Sequence, residues 1–466
     1  MQTLEDYIAD RYGGDSNWFE QEVEQGNHLT RISNVVNNIE YLLGRHKISQ
    51  REDTKWKGQE YITKKLILNQ AKTILNFHST YLLGKPLSLT GSENKVKEYQ
   101  NIYRRGNYNN IDFKILDNVI KYADSYEYVY IDNNKNIVSK IIHSEDGYPI
   151  YSEDTGEYIG FIEYYTMDSN KVSYYNVYYT DKVEQWNNEG GELQLIDTKS
   201  NISGLPIHYS NDEGEYDNFG RSLLEDLKPI FDEFEDIFSK MSDSIYTLSL
   251  NPMPVSIGQR IEGTIPSDAC GYMINLDAGS FDYKNATIDS ATVKLYLDKL
   301  QQQLNIIAHM PSVATGNSNV SNVSEVSLKL LYSLSDVMAM LNEKWMRRGL
   351  QQRFEYFDKL LGLLGVTFSD NEYIDVEFNY SRPVNGQDLL NEIQTQFNMG
   401  AISKQSIIEK SPLTTDVSTE LERLKKENNT DGSTGNNSGN NSNNGVENKE
   451  LNTDGIKDNE VENSNK

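Results

Sequence analysis

The stretch Ser222–Leu248, SLLEDLKPIFDEFEDIFSKMSDSIYTL, decides how the rest of the chain is interpreted. Its apolar residues recur at steps of three and four, which places them on one stripe of an α-helix. That stripe consists of Leu224, Leu227, Phe231, Phe234, Phe238, Met241, Ile245 and Leu248. Carboxylates dominate the other faces. An ordinary amphipathic helix on a core explains the pattern when it is taken alone, but the sequence that follows favours a more specific interpretation.

The composition narrows the class of protein. The chain has 466 residues, and 70 Asp and Glu against 44 Lys and Arg give it a net charge of −26. A protein that grips nucleic acid by neutralising phosphates is expected to be basic, so this chain should meet DNA only weakly or by confining it. Its single cysteine, Cys270, excludes an intramolecular disulfide. We find no secretory signal and no apolar run long enough to span a membrane.

A second helix returns after the first, and the pair encloses a small module. Residues 291–310 again have apolar steps of four and three, and residues 251–289 between the helices are glycine-rich and β-like. The next segment, 311–323, has no charged residue and predicts either a flexible connector or a specialised loop. Asn322 and Glu325 have the spacing of a capping box for one long helix from Ser324 to about Leu364.

The segments before and after this region alternate between helical and β patterns. Helices are predicted up to residue 123, including one over 59–82, and a period of two then predicts strands between residues 126 and 197. Tyrosine dominates these strands, which fits either a structural or subunit-contact sheet or a platform for a ligand. A further strand is predicted at 373–380, followed by helices within 386–426. From residue 428 the chain has almost no apolar residues and is predicted to be disordered.

Catalytic motifs are missing from the sequence. It contains no phosphate-binding glycine loop, no HExxH, no CxxC and no GxSxG, and its six histidines are scattered. We therefore predict that the protein is not an enzyme and holds no cofactor or metal. Lys344, Arg347, Arg348 and Arg353 form a basic group on the long helix, which is either a solvated face or a partner for a neighbouring subunit's carboxylates.

The ordered set of segments resembles the SPP1-type portal proteins of tailed bacteriophages. Tyr41 with Gly44, His46 and Ile48 is similar to the family's N-terminal segment, and Tyr81-Leu-Leu-Gly-Lys-Pro86 is similar to its helix end. Gly204-x-Pro206 leads into the first long helix, and Val326-Ser-Leu-Lys329 opens the later one, as in the family. The resemblance implies an α+β portal fold with long stem helices, a Tyr-rich β wing, a small β-containing clip and a helical crown.

The resemblance also assigns a part to each segment. The parts in chain order are 1–218, N-terminal helices and wing; 219–250, stem helix; 251–289, clip; 290–310, second stem helix; 311–323, tunnel loop; 324–385, long wing helix and strand; 386–427, crown; and 428–466, disordered tail.

The implied function is that of a portal protein. Such a protein forms a homo-oligomeric ring, usually of twelve subunits, at one capsid vertex, and double-stranded DNA passes through it during packaging and ejection without sequence-specific binding. The implied partners are the large terminase subunit, then head–tail connector proteins, and the major capsid and scaffolding proteins. The expected location is the virion, with the host cytoplasm during assembly. The competing interpretations are another virion or head protein without a DNA channel, and an enzyme whose site is not recognisable.

Two groups of residues are the candidate functional sites if the resemblance holds. The DNA-facing tunnel loop would present Thr315, Gly316, Asn317, Ser318, Asn319 and Asn322. The stem would form a seam between subunits through Leu227, Phe231, Phe234, Phe238 and Met241, and we expect a single chain to expose this seam.

Overall fold

The computed structural model describes residues 2–56, 59–167, 169–211, 213, 218–245, 253–258, 277–284, 289–311, 324–383, 385–411, 414 and 417–431. Helices and antiparallel strands both contribute extensively to these residues, so the predicted α+β class is confirmed. The chain divides into two compact units, Met1–Val384 and Asn385–Lys466.

Ten helices lie in the described part of the first unit and three in that of the second, together with one 3-10 turn at Lys47–Gln50. The helices of the first unit are α1 Leu4–Tyr12, α2 Trp18–Val23, α3 Gly26–Leu42, α4 Gln70–Leu83, α5 Glu93–Gly106, α6 Tyr108–Tyr122, α7 Leu223–Ser244, α8 Ser290–Ile307, α9 Glu325–Leu331 and α10 Ser333–Leu363. Those of the second unit are α11 Gly386–Asn398, α12 Lys404–Lys410 and α13 Val417–Asp431.

The strands all pair in antiparallel fashion. They are β1 Thr54–Trp56, β2 Gln59–Tyr61, β3 Ser88–Gly91, β4 Asp124–Ile131, β5 Ile137–Ile142, β6 Gly147–Tyr151, β7 Tyr158–Thr166, β8 Ser173–Tyr178, β9 Lys182–Asn187, β10 Gln194–Ser200, β11 Ile207–Ser210, β12 Met253–Ile257, β13 Ser280–Lys284 and β14 Ile374–Glu377. The strand orders are β10-β9-β8-β7-β6 and β11-β4-β5, with pairs β1-β2, β12-β13 and β14-β3. The predicted strand at 373–380 therefore pairs with a strand formed much earlier in the chain.

The five-stranded sheet contains much of the tyrosine. Tyr164 of β7 lies directly opposite Tyr175 of β8, and their rings stack with centroids 4.6 Å apart. On the same sheet Phe19 of α2 contacts the Tyr175 ring at a centroid distance of 5.2 Å. Aromatic cross-strand pairs of this kind stabilise a sheet by about 0.2–1 kcal/mol each. Tyr175 therefore serves to pack the first helices onto the sheet.

The main core joins α4 to α7, α10 and the three-stranded sheet. Gly349 lies in the middle of α10, where the ring of Tyr209 from β11 packs against the helix. A Cβ at position 349 would lie 2.1 Å from a carbon of that ring. Glycine is thus required at this position because the strand and the helix approach closely.

Helix α7 begins where the sequence predicts. The Ser222 side chain accepts a hydrogen bond from the backbone N–H of Leu224, and Glu225 and Asp226 lie in the first turn. An N-cap serine and carboxylates at the N-terminus both stabilise a helix start. The helix continues through Pro229 to Ser244. The predicted end of the apolar stripe at Leu248 lies outside the described residues.

Two predicted helices differ from the structure. The predicted helix over 59–82 is wrong in its first half, since 59–61 is a strand and α4 begins only at Gln70. The predicted helix from Ser324 to Leu364 is interrupted at Tyr332, between α9 and α10. Its N-cap is Ser324, whose hydroxyl accepts from the N–H of Ser327.

In the second unit α11, α12 and α13 agree with the helices predicted within 386–426. Helix α13 extends to Asp431, so the predicted disordered tail from 428 begins too early, and residues 432–466 lie outside the described part.

Candidate functional site

The six predicted tunnel-loop residues, from Thr315 to Asn322, lie outside the described residues. The structure does describe the residues on either side of that segment, up to Pro311 and again from Ser324. Contacts within the fold fix these two flanking segments.

The flank before the loop is held by two buried side chains. His78 of α4 donates from Nε2 to the carbonyl oxygen of Ala308 at 2.7 Å. Ser335 of α10 donates to the carbonyl oxygen of His309 at 2.8 Å. Both carbonyls lie just beyond the end of α8, where helix carbonyls lack intrahelical partners. The two bonds fix the end of α8 against α4 and α10.

His78 is held in its neutral form. Burial lowers the pKa of His78 to about 4, and the nearby His309 acts in the same direction, against the hydrogen bond to Ala308. The side chain is almost fully buried. The neutral imidazole therefore donates to Ala308 throughout the physiological pH range.

Replacing His78 with glutamine is expected to flatten the pH dependence of stability. The folded chain protonates His78 only near pH 4, whereas the unfolded chain does so near the ordinary value of 6.5. His78 therefore contributes stability above pH 6.5 that is lost as the pH falls towards 4. Glutamine keeps an N–H donor at this position. When the pH falls from about 7 to about 5, the unfolding free energy of the wild type should decrease by about 2 kcal/mol more than that of His78→Gln. Urea unfolding at both pH values measures the difference, and equal losses would contradict it.

The flank after the loop is held by an arginine from beyond β14. Arg382 contacts Glu325 of α9 at 3.4 Å and Asp336 of α10 at 3.2 Å. Tyr81 of α4 also donates to Asp336. Arg382 thus spans the interruption at Tyr332 between the two helices. Nothing in the sequence indicates this partnership, because the residues are far apart in the chain.

The stem stripe is largely a core within one chain. Leu227, Phe231 and Phe234 are all buried and belong to the main core, because α4, α6 and α8 pack around α7. The expectation that a single chain exposes this stripe is therefore wrong for these three residues, which have no surface left for a neighbouring subunit. Phe238 and Met241 are half-buried.

A second face of α7 carries polar side chains that bind another segment of the backbone, which the sequence patterns did not predict. Glu235, Ser239 and Asp243 are spaced by four, and they accept the backbone N–H groups of Leu68, Leu66 and Lys64 at 2.8, 3.0 and 3.0 Å. Four residues of an α-helix advance about 6 Å, and two residues of an extended chain advance about 6.6 Å. Every fourth residue of α7 therefore lies opposite every second residue of 64–68. Residues 64–68 therefore lie along α7, which explains why they are not helical.

Glu235 also joins the 3-10 turn region to α7. His46 Nδ1 lies 2.7 Å from Glu235 Oε1, and His46 Nε2 lies 2.9 Å from the carbonyl oxygen of Tyr41. Each ring nitrogen of His46 therefore faces an oxygen atom. The imidazole stacks on the Tyr41 ring with centroids 3.9 Å apart. One buried carboxylate thus holds two separate segments against α7.

Replacing Glu235 with alanine is expected to cost about 2–3 kcal/mol of unfolding free energy, because it leaves the partly buried Leu68 N–H and the buried His46 ring without their acceptor. Asp236→Ala is the matched control. Asp236 pairs with Lys240 across an exposed turn, and its loss should change stability by less than about 1 kcal/mol. Urea unfolding of both variants makes the comparison, and equal effects would contradict the assigned role of Glu235.

Two residues of the basic group on the long helix form ion pairs within their own chain. Arg353 is fully buried and contacts Asp112 of α6 and Glu127 of β4. Arg347 pairs with Glu343 at 2.7 Å and Asp375 at 3.0 Å. These two arginines therefore have carboxylate partners in their own chain, while the Lys344 side chain is exposed.

The described residues contain no group of three or more side chains that could hold a metal ion. Nor does any helix among them have the length and apolar character needed to cross a membrane.

Comparison with known proteins gives the family. The model of the family "Phage portal protein, SPP1 Gp6-like" matches residues 21–434. The portal protein of Bacillus phage SPP1 is 22% identical over 387 residues, which cover 77% of this chain and 75% of that protein. Among solved structures, a chain from the neck of an empty gene transfer agent particle is 13% identical with a TM-score of 0.46, covering 73% of this chain and 89% of that one. A chain from the neck of the native particle is likewise 13% identical, with a TM-score of 0.43 and coverage of 74% and 90%. The family match spans most of both described units, and we conclude that this chain belongs to the SPP1 Gp6-like family of phage portal proteins.

Proposed function

We propose that twelve copies of this chain form a ring at one capsid vertex, through which DNA enters during packaging and leaves at ejection. The observation that carries the proposal is the family match over residues 21–434. The element order supports it, because α7, the β12–β13 pair, α8, an uncharged segment and α9–α10 follow one another as stem, clip, second stem helix, tunnel loop and wing helix.

The remaining parts follow from the same proposal. The Tyr-rich sheet belongs to the wing, and α11 to α13 belong to the crown. The large terminase docks at the clip, and head–tail connector proteins replace it when packaging ends. The major capsid and scaffolding proteins surround the ring. Hydrolysis of ATP takes place in the terminase, and this chain carries out no chemical step. Assembly occurs in the host cytoplasm, and the product remains in the virion.

The charge of the chain suits a channel that confines DNA without binding it. A net charge of −26 repels phosphates, so DNA is not trapped by ion pairs during translocation. We place the uncharged segment 311–323 nearest the DNA, where Asn317, Ser318, Asn319 and Asn322 make brief contacts with phosphates. The bonds from His78, Ser335 and Arg382 fix both flanks of that segment.

Replacing residues 314–319 with a glycine–serine segment of equal length is expected to leave ring assembly intact while reducing DNA packaging and DNA retention. Packaging with the cognate terminase and procapsids measures the first, and protection of packaged DNA from nuclease measures the second. The matched control replaces residues 188–191, a turn between β9 and β10. Unchanged packaging and retention after the loop replacement would contradict the role of the loop.

A further inference from the structure

Helix α8 is only partly packed within one chain. Leu304 is its one buried residue, although Leu297 and Leu300 also pack against the main core. Four other apolar side chains of the helix are exposed, with Leu295 at 61%, Ile306, Ile307, and Tyr296, whose hydroxyl donates to Glu233 of α7 at 3.1 Å. At about 100° per residue these four side chains occupy one sector roughly 120° wide. We call this sector the α8 face.

A second apolar face lies on the other side of the uncharged segment. Leu328 is the one buried residue of α9, and the exposed side chains continue from α9 into α10 at steps of three and four. Val326 is 68% and Leu330 is 71% exposed. The face comprises Val326, Leu330, Leu334, Val337, Met340 and Leu341. We call it the α9–α10 face.

Helices gain most of their stability by burying an apolar stripe, and exposed stripes of this size mark interaction surfaces. The length of the two faces is similar, since the 12 residue steps from Leu295 to Ile307 and the 15 from Val326 to Leu341 rise about 18 and about 22 Å. Their position is also related, because one face immediately precedes residues 311–323 and the other immediately follows them.

The charge of these helices indicates which partner covers the two apolar faces. Copies of a chain with a net charge of −26 repel one another, so their contact must lie where carboxylates are few. Helix α8 has two lysines against one aspartate. Between residues 324 and 341 the two carboxylates, Glu325 and Asp336, both contact Arg382 of their own chain. These helices are therefore nearly neutral in a strongly acidic protein.

We propose that the α8 face of one subunit packs against the α9–α10 face of the next copy of this chain. A closed ring requires two unlike surfaces on every subunit, and these faces supply one each. The inference rests on the proposed ring and specifies its contact. The residues that flank the DNA-facing segment then belong to the interface itself.

Cross-linking of the full-length chain tests the pairing. In a Cys270→Ser background, one chain carries Leu295→Cys or Ile306→Cys, and a second chain with a size tag carries Leu330→Cys or Val337→Cys. The two chains are assembled together and treated with a short bismaleimide. The four combinations cover both relative directions of the helices. A mixed-size covalent dimer is expected in at least one combination, with none from either chain alone. Leu195→Cys, on the exposed strand β10, is the matched control and should give no dimer with either chain.

Electron microscopy of the same samples separates the possible failures. Rings without a mixed-size dimer in any of the four combinations would overturn the pairing and leave the proposed ring intact. Dimers formed equally well by the Leu195→Cys control would overturn it too, because they would report collision rather than contact. An absence of rings in the Cys270→Ser background and in the wild type would overturn the proposed function itself.

Discussion

Replacing Arg353 with methionine is expected to lower the unfolding free energy by about 3–5 kcal/mol. The guanidinium is fully buried and donates from Nε to Glu127 at 2.8 Å and from Nη1 to Asp112. Both carboxylates are buried as well, and Tyr209 donates to the same Glu127 oxygen at 2.7 Å. Removal of the arginine leaves two uncompensated charges where α10, α6 and β4 meet.

The design of this experiment separates the ion network from simple loss of packing. Adding Asp112→Asn and Glu127→Gln to Arg353→Met should restore most of the stability, because no buried charge then remains unpaired. Arg347→Met is the control, since its half-exposed pairs with Glu343 and Asp375 should contribute less than about 1 kcal/mol. Urea unfolding at equal subunit concentration measures all of these variants. An equal loss for Arg353→Met and Arg347→Met would contradict the assignment.

The pH dependence of the same variant has a definite sign. Burial raises the pKa of Asp112 to about 6, against the pull of Arg353. A raised pKa means that this group favours the folded chain most below its ordinary pKa of 3.8 and loses that contribution as the pH rises through about 6. Without the arginine, protonation relieves the buried charge. The loss of unfolding free energy in Arg353→Met, relative to the wild type, should therefore be smaller at about pH 5 than at about pH 8.

Replacing Phe234 with alanine is expected to cost about 3–5 kcal/mol, because a buried aromatic ring in a packed core is lost and a cavity remains. Phe234 is 3% exposed and stacks on Phe238, with ring centroids 6.2 Å apart. Phe238→Ala removes the same side chain one turn further along α7, at a half-buried position, and should cost clearly less.

This pair of variants distinguishes a core stripe from a subunit seam. If the first half of the stripe is core, Phe234→Ala should lower the urea midpoint of dissociated subunits as well as that of the assembled ring. Phe238→Ala should act mainly on assembly, because Phe238 belongs to the subunit seam expected from the sequence and its half-buried ring still has surface available to a neighbouring subunit. Unfolding of dissociated Phe234→Ala subunits at the wild-type midpoint would contradict the core assignment.

Local patterns allowed many elements to be predicted from the sequence. The start of α7 could be placed because an N-cap serine, first-turn carboxylates and an apolar stripe all agree at Ser222. The β4–β5 hairpin and the strand at 374–377 followed from a period of two. The family could be recognised because the order of the segments is preserved where individual motifs are short.

Long-range partners decided the features that could not be predicted. Apolar residues over 62–68 fit a helical pattern, but the side chains of Glu235, Ser239 and Asp243 bind their backbone and hold them out of α4. The spacing by four of these acceptors was visible in the sequence, but what they bind was not. The stem stripe had the right periodicity, yet periodicity does not say whether a helix is buried by its own chain or by another copy. Only the packing of α4, α6 and α8 around α7 shows that Leu227, Phe231 and Phe234 are core.

Negative-stain electron microscopy of the purified chain, with its mass measured in solution, is the most direct test of the claim that this chain forms a ring. We expect rings with a central hole and a mass of about twelve subunits, which would make the loop and interface proposals open to detailed testing. A stable monomer at high concentration, with no rings, would contradict the claim. It would mean that the α8 and α9–α10 faces are not covered by a second copy of this chain.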